Sequence, residues 1–152
     1  MLKFIVGDLF TTQLPAIGHG VNIHGVMGSG IAPIIKKKYP AVFPPYKKAC
    51  QDGSLTPGLM LPVEVEPGMW VFNLASQDKP GRHARLDWLA ESLERSFITA
   101  TELNLPGFAI PRIGAGIGGL KWRDVKSTIE RVASYYPHMT LEVWSLPDAK
   151  DD

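Results

Sequence analysis

Cysteine is nearly absent from this chain: Cys50 stands alone. One cysteine excludes a disulfide framework and the paired spacing of a zinc finger, and it fits a reducing compartment, so a cytoplasmic location is expected. Histidine is scarce as well. His19, His24, His83 and His138 form no HxxxH or HxH pair, so no metal site and no cofactor are expected. An excess of one charge is missing: Lys and Arg number 16, Asp and Glu 15, for a net charge of +1. Nothing in that balance steers the chain onto duplex nucleic acid. Long apolar runs are missing too. None approaches the roughly 20 residues that cross a bilayer, so no membrane partner is expected. The opening MLKFIVGDLF is broken by Gly7-Asp8 too early to be read as a signal peptide. No segment repeats, which excludes solenoids and collagen.

What is present fits one globular domain. The 152 residues fall in the usual range for a single core, and a chain of that size buries roughly 68–70% of its unfolded surface. Apolar residues make up 45% and charged residues 20%, ordinary values for a folded protein. Glycine and proline are the exception. With 15 glycines and 13 prolines they form about 18% of the chain, against an average near 12%. The excess belongs in loops.

Strand and helix patterns alternate. Leu2, Phe4 and Val6 mark a first strand, and Ala16–Val21 a second. A glycine loop, Gly25 to Gly30, leads into a short helix over Ile31–Lys38, stopped at Tyr39-Pro40. Val42–Cys50 reads as another helix and Leu59–Val65 as a strand, with turns at Pro57-Gly58 and Pro67-Gly68. Trp70–Ala75 is continuously apolar, as expected of a strand buried on both faces. Ala84–Leu103 carries one apolar stripe, Leu86, Leu89, Ala90, Leu93 and Phe97, and reads as the clearest helix. Phe108–Ile113 is a strand, followed by Gly114–Gly119. A helix over Trp122–Tyr135 and a strand over Met139–Leu146 complete the chain. The domain is expected over 1–146, with a loose tail over 147–152. This alternation predicts a layered α/β domain with a largely parallel sheet, which binds ligands beyond the carboxyl ends of its strands.

Both glycine loops fall at that position. Gly114-Ala-Gly116-Ile-Gly118-Gly119 follows a strand and precedes a helix. Glycines there let backbone N–H groups point inward and cradle a phosphate, with a helix start adding partial positive charge. The loop matches GxGxxG, but too late in the chain for a nicotinamide-dinucleotide fold. It also fails the Walker A pattern, because Leu120 stands where lysine is required. Two cradles on one sheet edge suggest a ligand with two phosphates. Ser29 is expected to cap the helix starting at Ile31 rather than to touch the ligand. Asp8 is placed to accept from a base's amino group or to cap its own turn. Asn22 would hold a sugar hydroxyl or satisfy loop backbone. Trp144 would stack on a base or pack inside.

These residues resemble the macro domain family over nearly the whole chain. The most specific pieces are Asn22-Ile-His-Gly-Val-Met-Gly-Ser-Gly-Ile-Ala32 and Pro111-Arg-Ile-Gly-Ala-Gly-Ile-Gly-Gly-Leu-Lys-Trp122. Within the family the chain looks most like the branch of the terminal ADP-ribose protein glycohydrolase, the DNA ADP-ribosyl glycohydrolase antitoxins and the yeast-type ADP-ribose-1″-phosphatase. The resemblance implies a three-layer α/β/α fold around a mixed, about six-stranded sheet, and ADP-ribose as ligand; the partner expected is ADP-ribose or an ADP-ribosylated small molecule, protein or nucleic acid, and the chain is expected to be a monomer. The resemblance also implies that Asp8 binds the adenine amino group, that Trp144 packs against the adenine and that Asn22 contacts the distal ribose. Gly28, Ser29, Gly30 and Ile31, with Gly114, Ala115, Gly116, Ile117, Gly118 and Gly119, would wrap the pyrophosphate and distal ribose. Leu9, Val26, Met27, Ser76, Pro111, Ile113, Leu120 and Leu146 are further expected to bind the ligand.

The departures concern catalysis. The glycohydrolase branch places a lysine after the strand matching Val71–Ser76. Here that residue is Gln77, and the acidic residue some members carry in the second loop is Gly118. Lysine-adduct chemistry thus lacks its lysine. His19 matches a histidine of the phosphatase-like member but lies inside a strand, where a core role is expected. The candidates near a scissile bond at the distal ribose are His24, Asn22 and Gln77, with His24 as an acid or base. The expected function is hydrolysis of an ADP-ribose derivative at that ribose: an ester, a glycosidic link or a 1″-phosphate. The alternative is a non-catalytic reader or sequestering module for ADP-ribose.

Overall fold

The computed structural model describes residues 1–151. Six strands form one sheet: β1 (Leu2–Val6), β2 (Ala16–Gly20), β3 (Met60–Glu66), β4 (Met69–Leu74), β5 (Gly107–Ile110) and β6 (Thr140–Ser145). Their order is β1-β6-β5-β2-β4-β3. The neighbouring pairs are parallel except β3 against β4, an antiparallel hairpin closed at Pro67-Gly68. The sheet is therefore mixed and six-stranded. Helices α1 (Ala32–Lys38) and α2 (Phe43–Gln51) lie on one face, α3 (Leu86–Glu102) and α4 (Trp122–Ala133) on the other. No helix among the described residues is long and apolar enough to cross a membrane.

The apolar periods explain the layers. Leu89, Leu93, Phe97 and Ala100 recur at helical spacing along α3 and are all buried, with Val125, Ile129 and Val132 of α4 beside them. Phe97 is the hub. Its ring lies 5.1 Å from Phe108 on β5, edge to face, and stacks 4.7 Å from Tyr136. Ser92 and Ser96 are buried on the same helix and satisfied, because each hydroxyl donates to the carbonyl four residues back, Trp88 and Ser92 respectively. The opposite core packs Ile17, Val71, Ala75 and Ala109 of the sheet against Ile35, Val42 and Tyr46.

Strand β5 ends at Ile110 rather than Ile113, α4 at Ala133 rather than Tyr135, and other ends shift by a residue or two; three differences bear on the site. Helix α3 starts at Leu86 rather than Ala84. Ala84 instead bridges Gln77 and donates its N–H to the Gly118 carbonyl (3.1 Å), and Arg85 is extended. Helix α1 starts at Ala32, and its cap, Ile31, makes no side-chain bond. Ser29 therefore does not cap it. The second glycine loop does not open α4 directly: it closes on itself as a single 3-10 turn, Gly116–Gly118, and Lys121 begins the helix. The tail turns back, with Ala149 N–H donating to the Leu146 carbonyl and Arg112 reaching the Asp151 carboxylate at 2.6 Å. Asp152 lies outside the described residues.

Candidate functional site

The carboxyl ends of the parallel strands open into a cleft of two chambers. The smaller, about 220 Å³, lies between the glycine loops. The larger, about 730 Å³, lies beyond the ends of β1 and β6. They meet at Gly30, Ile31, Pro111 and Arg112, which line both. The cleft is thus one elongated site with a narrow waist.

The larger chamber collects residues far apart in sequence. Asp8 and Leu9 come from the end of β1, Trp144 and Leu146 from β6. The parallel β1–β6 pairing, with Ile5 opposite Trp144, brings them together. Gly7 lies against the Trp144 ring: a Cβ there would stand 3.1 Å from it. Asp8 also caps its own turn, Oδ1 accepting from Phe10 N–H at 3.0 Å. The turn-capping reading of Asp8 is what the structure shows, and the residue also lines the larger chamber. Trp144 donates Nε1–H to Glu142 (3.0 Å), which fixes its ring.

At the waist the two loops almost touch. Gly30 has φ +64, and a Cβ there would lie 3.4 Å from Ile117 Cδ1. Val26, Gly28 and Ser29 line the small chamber from one side, Ile113, Gly114, Ala115, Ile117 and Gly118 from the other. Gly114 adopts φ +83, a conformation that L side chains rarely take. The walls carry no carboxylate, and their polar side chains, Asn22, Ser29, Ser76, Gln77 and Arg112, stand among loop backbone, a composition that suits an anion.

Several sequence expectations change here. Met27 is buried in the core beneath α1 and does not line the cleft. Gly116, Gly119 and Leu120 do not line it either. Gly116 faces open space, Gly119 backs onto Arg82, and Leu120 packs against Gly114. Gly119 and Leu120 thus support the loop through Arg82 and Gly114, while Gly116 lies on its exposed side. His24 is exposed and outside both chambers, because its N–H is drawn to Asn22 Oδ1 (2.9 Å) while its ring faces solvent. A role at the scissile bond does not suit it.

Asn22 lines the small chamber but spends its amide on the loop. Nδ2 donates to the Val26 carbonyl (2.9 Å), and Oδ1 accepts from His24 N–H and from Tyr46 OH (3.0 Å). The Tyr46 hydroxyl, its pKa pushed up chiefly by burial, is a committed donor and also holds the Asn22 carbonyl at 2.7 Å. Gln77 also lines the chamber. Its Nε2 donates to Lys79 O (2.6 Å) and Gly81 O (3.2 Å), which leaves Oε1 on the side of Gly118. Ser76 lines the small chamber with a buried hydroxyl that has no hydrogen-bond partner among the described residues. Only the absence of a side chain at Gly20 makes room for it, since a Cβ there would stand 2.6 Å from Ser76 Oγ.

Arg112 was outside the expected contacts, yet it is the only charged side chain lining the small chamber among the described residues. Its guanidinium stands 4.1 Å from the Trp122 ring centroid. The signal in sequence was its place between Pro111 and the glycines, which gave no hint that it borders both chambers.

His19 points away from the cleft. It is fully buried, its Nε2 donating to Asn73 Oδ1 (2.7 Å) while Asn73 donates to the Leu61 carbonyl (3.0 Å). Burial lowers its pKa to about 4, against a partial upward pull from Asn73. The unfolded state therefore binds a proton below about 6.5 that the folded state refuses until about 4. Stability is fully present above that window and falls as pH drops through it. Urea midpoints between pH 7.5 and 4.5 are expected to fall more steeply for the parent than for His19→Gln. Equal slopes would show that His19 does not drive the loss.

With the geometry in place, comparison with known proteins decides the family. The family model described as Macro domain matches residues 19–129, which includes both glycine loops and the small chamber. The chain belongs to the Macro domain family. A DNA ADP-ribosyl glycohydrolase of Thermus aquaticus is 32% identical over 95% of this chain, which spans 40% of that protein's length. An ADP-ribose 1″-phosphate phosphatase of Candida albicans is 30% identical over 86% of this chain and 92% of its own. The macrodomain of Mycobacterium tuberculosis DarG superposes with a TM-score of 0.87 at 30% identity, covering 95% of this macro domain and 97% of that chain.

Proposed function

We propose that this macro domain binds ADP-ribose along the cleft and hydrolyses a derivative at the distal ribose. One observation carries the reading: two chambers of different character join at a waist of Gly30, Ile31, Pro111 and Arg112, flanked by the two glycine loops. The larger, apolar chamber offers Trp144 to a base and Asp8 to its amino group. The waist suits a pyrophosphate. The smaller chamber takes the distal ribose. That the named relatives act on ADP-ribosyl groups supports the same ligand.

The chamber limits the chemistry. Among the described residues its walls carry no carboxylate, histidine, lysine or cysteine. Water is then the nucleophile, and positioning is the main catalytic resource. Gln77 Oε1 is held by the two bonds its Nε2 makes, and Ser76 Oγ is free to bond, so both are placed to order that water. The water oxygen bonds to the attacked carbon or phosphorus, its proton passes to solvent, and the substituent leaves with its bonding electrons. Without a strong acid or base, a substrate with a good leaving group reacts best.

Incubation with O-acetyl-ADP-ribose, ADP-ribose-1″-phosphate and glycosidically ADP-ribosylated protein or DNA checks this. The ester is expected to turn over fastest and the glycosidic bond slowest. Tight binding with no turnover of any of them would leave the non-catalytic reader, which the commitment of Gln77 Nε2 to the loop favours.

A further inference from the structure

The near-zero net charge hides a segregation. Residues 9–51 contain no Asp or Glu at all, yet carry Lys36, Lys37, Lys38, Lys47 and Lys48. All 15 carboxylates lie elsewhere, so the rest of the chain is acidic. The acid-free segment includes α1, the turn at Pro40–Val42 and α2, which form one layer on one face of the sheet. All five lysines are exposed, and none has a carboxylate within 4.0 Å among the described residues. The acids that face this layer from neighbouring elements are few: Glu66 of β3 beside Tyr39, Asp52 beyond α2 near Lys48, and Asp8 beside Phe10.

Aromatic rings alternate with these cations. Lys36 Nζ lies 3.8 Å over the Phe43 ring, and Lys38 Nζ 5.6 Å from Phe10 and 5.9 Å from Tyr39. All three rings are half-buried. The strip also borders the cleft. Phe10 lines the larger chamber. The Lys47 stem would lie 3.7 Å from a Cβ at Gly25, next to Val26 of the smaller one.

We propose that this layer docks single-stranded nucleic acid. Its phosphates would lie on the lysines of α1 and α2, and its bases would stack on Phe10, Tyr39 and Phe43. A cationic track with interleaved aromatic rings is the general solution for single strands, since every base offers a ring face. An acidic peptide would use the charge and leave the rings idle. A membrane would want large aliphatic side chains, and Ile34 is the only exposed one on these two helices. The surface lies beside the cleft, and its occupancy is independent of the ADP-ribose reading.

Fluorescence anisotropy of a labelled oligothymidylate, without ADP-ribose, tests this. Five neutralised phosphates at about −0.7 each give a log–log salt slope near −3.5, or about a hundredfold loss over a fourfold rise in salt. Changing Lys36, Lys37, Lys38, Lys47 and Lys48 to Gln together is expected to abolish binding with an unchanged melting temperature. Changing Lys3, Arg95, Arg123, Lys126 and Arg131 to Gln is expected to leave it intact. No binding by the parent chain would overturn the proposal, as would equal losses in the two variants. Polyglutamate, an anionic vesicle or a duplex bound as tightly as the single strand would overturn it too.

Discussion

Affinity for ADP-ribose is expected to fall about a hundredfold in Ile117→Asp, with the melting temperature unmoved. Ile117 is 51% exposed, so the change removes little packing. Its Cδ1 closes the waist opposite Gly30, where the pyrophosphate is proposed to lie. A carboxylate there meets the phosphates at short range. Two unit charges 4 Å apart repel by about 4 kcal/mol at an effective dielectric of 20, reduced by screening near solvent. A loss of about 2.7 kcal/mol, which is a hundredfold, falls within that limit. Ile117→Asn has nearly the same shape without the charge and is expected to lose tenfold at most. Calorimetric titration of both variants separates the terms. Equal losses for Asp and Asn would mean that no anion sits at the waist.

Phe97→Ala is expected to cost about 3–5 kcal/mol of stability, the usual range for truncating a buried aromatic. Phe97 is fully buried, and its loss strips partners from both Phe108 and Tyr136. For a domain of this size each kcal/mol moves Tm by about 2–4 °C, so a fall of about 6–20 °C is expected. Phe108 belongs to β5, whose carboxyl end leads into the second glycine loop, so the core and the cleft share this strand. Well below the new Tm, ADP-ribose affinity should stay within a few-fold of the parent. Thermal denaturation followed by circular dichroism checks the first part. A cost under 1 kcal/mol would contradict the packing described.

The layers were legible because hydrophobic period is a local property. The stripe Leu89, Leu93 and Phe97 and the run Trp70–Ala75 state their faces without help from the rest of the chain. The glycine loops were legible because so many glycines in one turn exceed what a turn needs. Residue direction within those loops was not. Met27 lies between Val26 and Gly28, which line the cleft, yet turns into the core, and that depends on α1 covering it. Ser29 misses its cap because the turn at Ile31 satisfies the first amides by backbone alone. Ala84 reads as the first residue of the helix but is diverted by a bond to Gly118, a contact between distant segments. Arg112 was overlooked because only the folded chain shows that it borders both chambers. Gln77 was expected near the scissile bond, and it does line the small chamber. Its sequence could not say that one end of its amide is already spent.

Backbone amides of the two glycine loops are proposed to hold a pyrophosphate, and an amide chemical-shift titration of the isotope-labelled protein with ADP-ribose reads those amides one by one. Saturable shifts at one ligand per chain are expected for Gly30, Gly114, Ala115, Ile117 and Gly118, with Trp144 and Asp8 responding and the middle of α3 silent. Saturation with no change in either loop, or shifts confined to residues outside the cleft, would contradict that proposal.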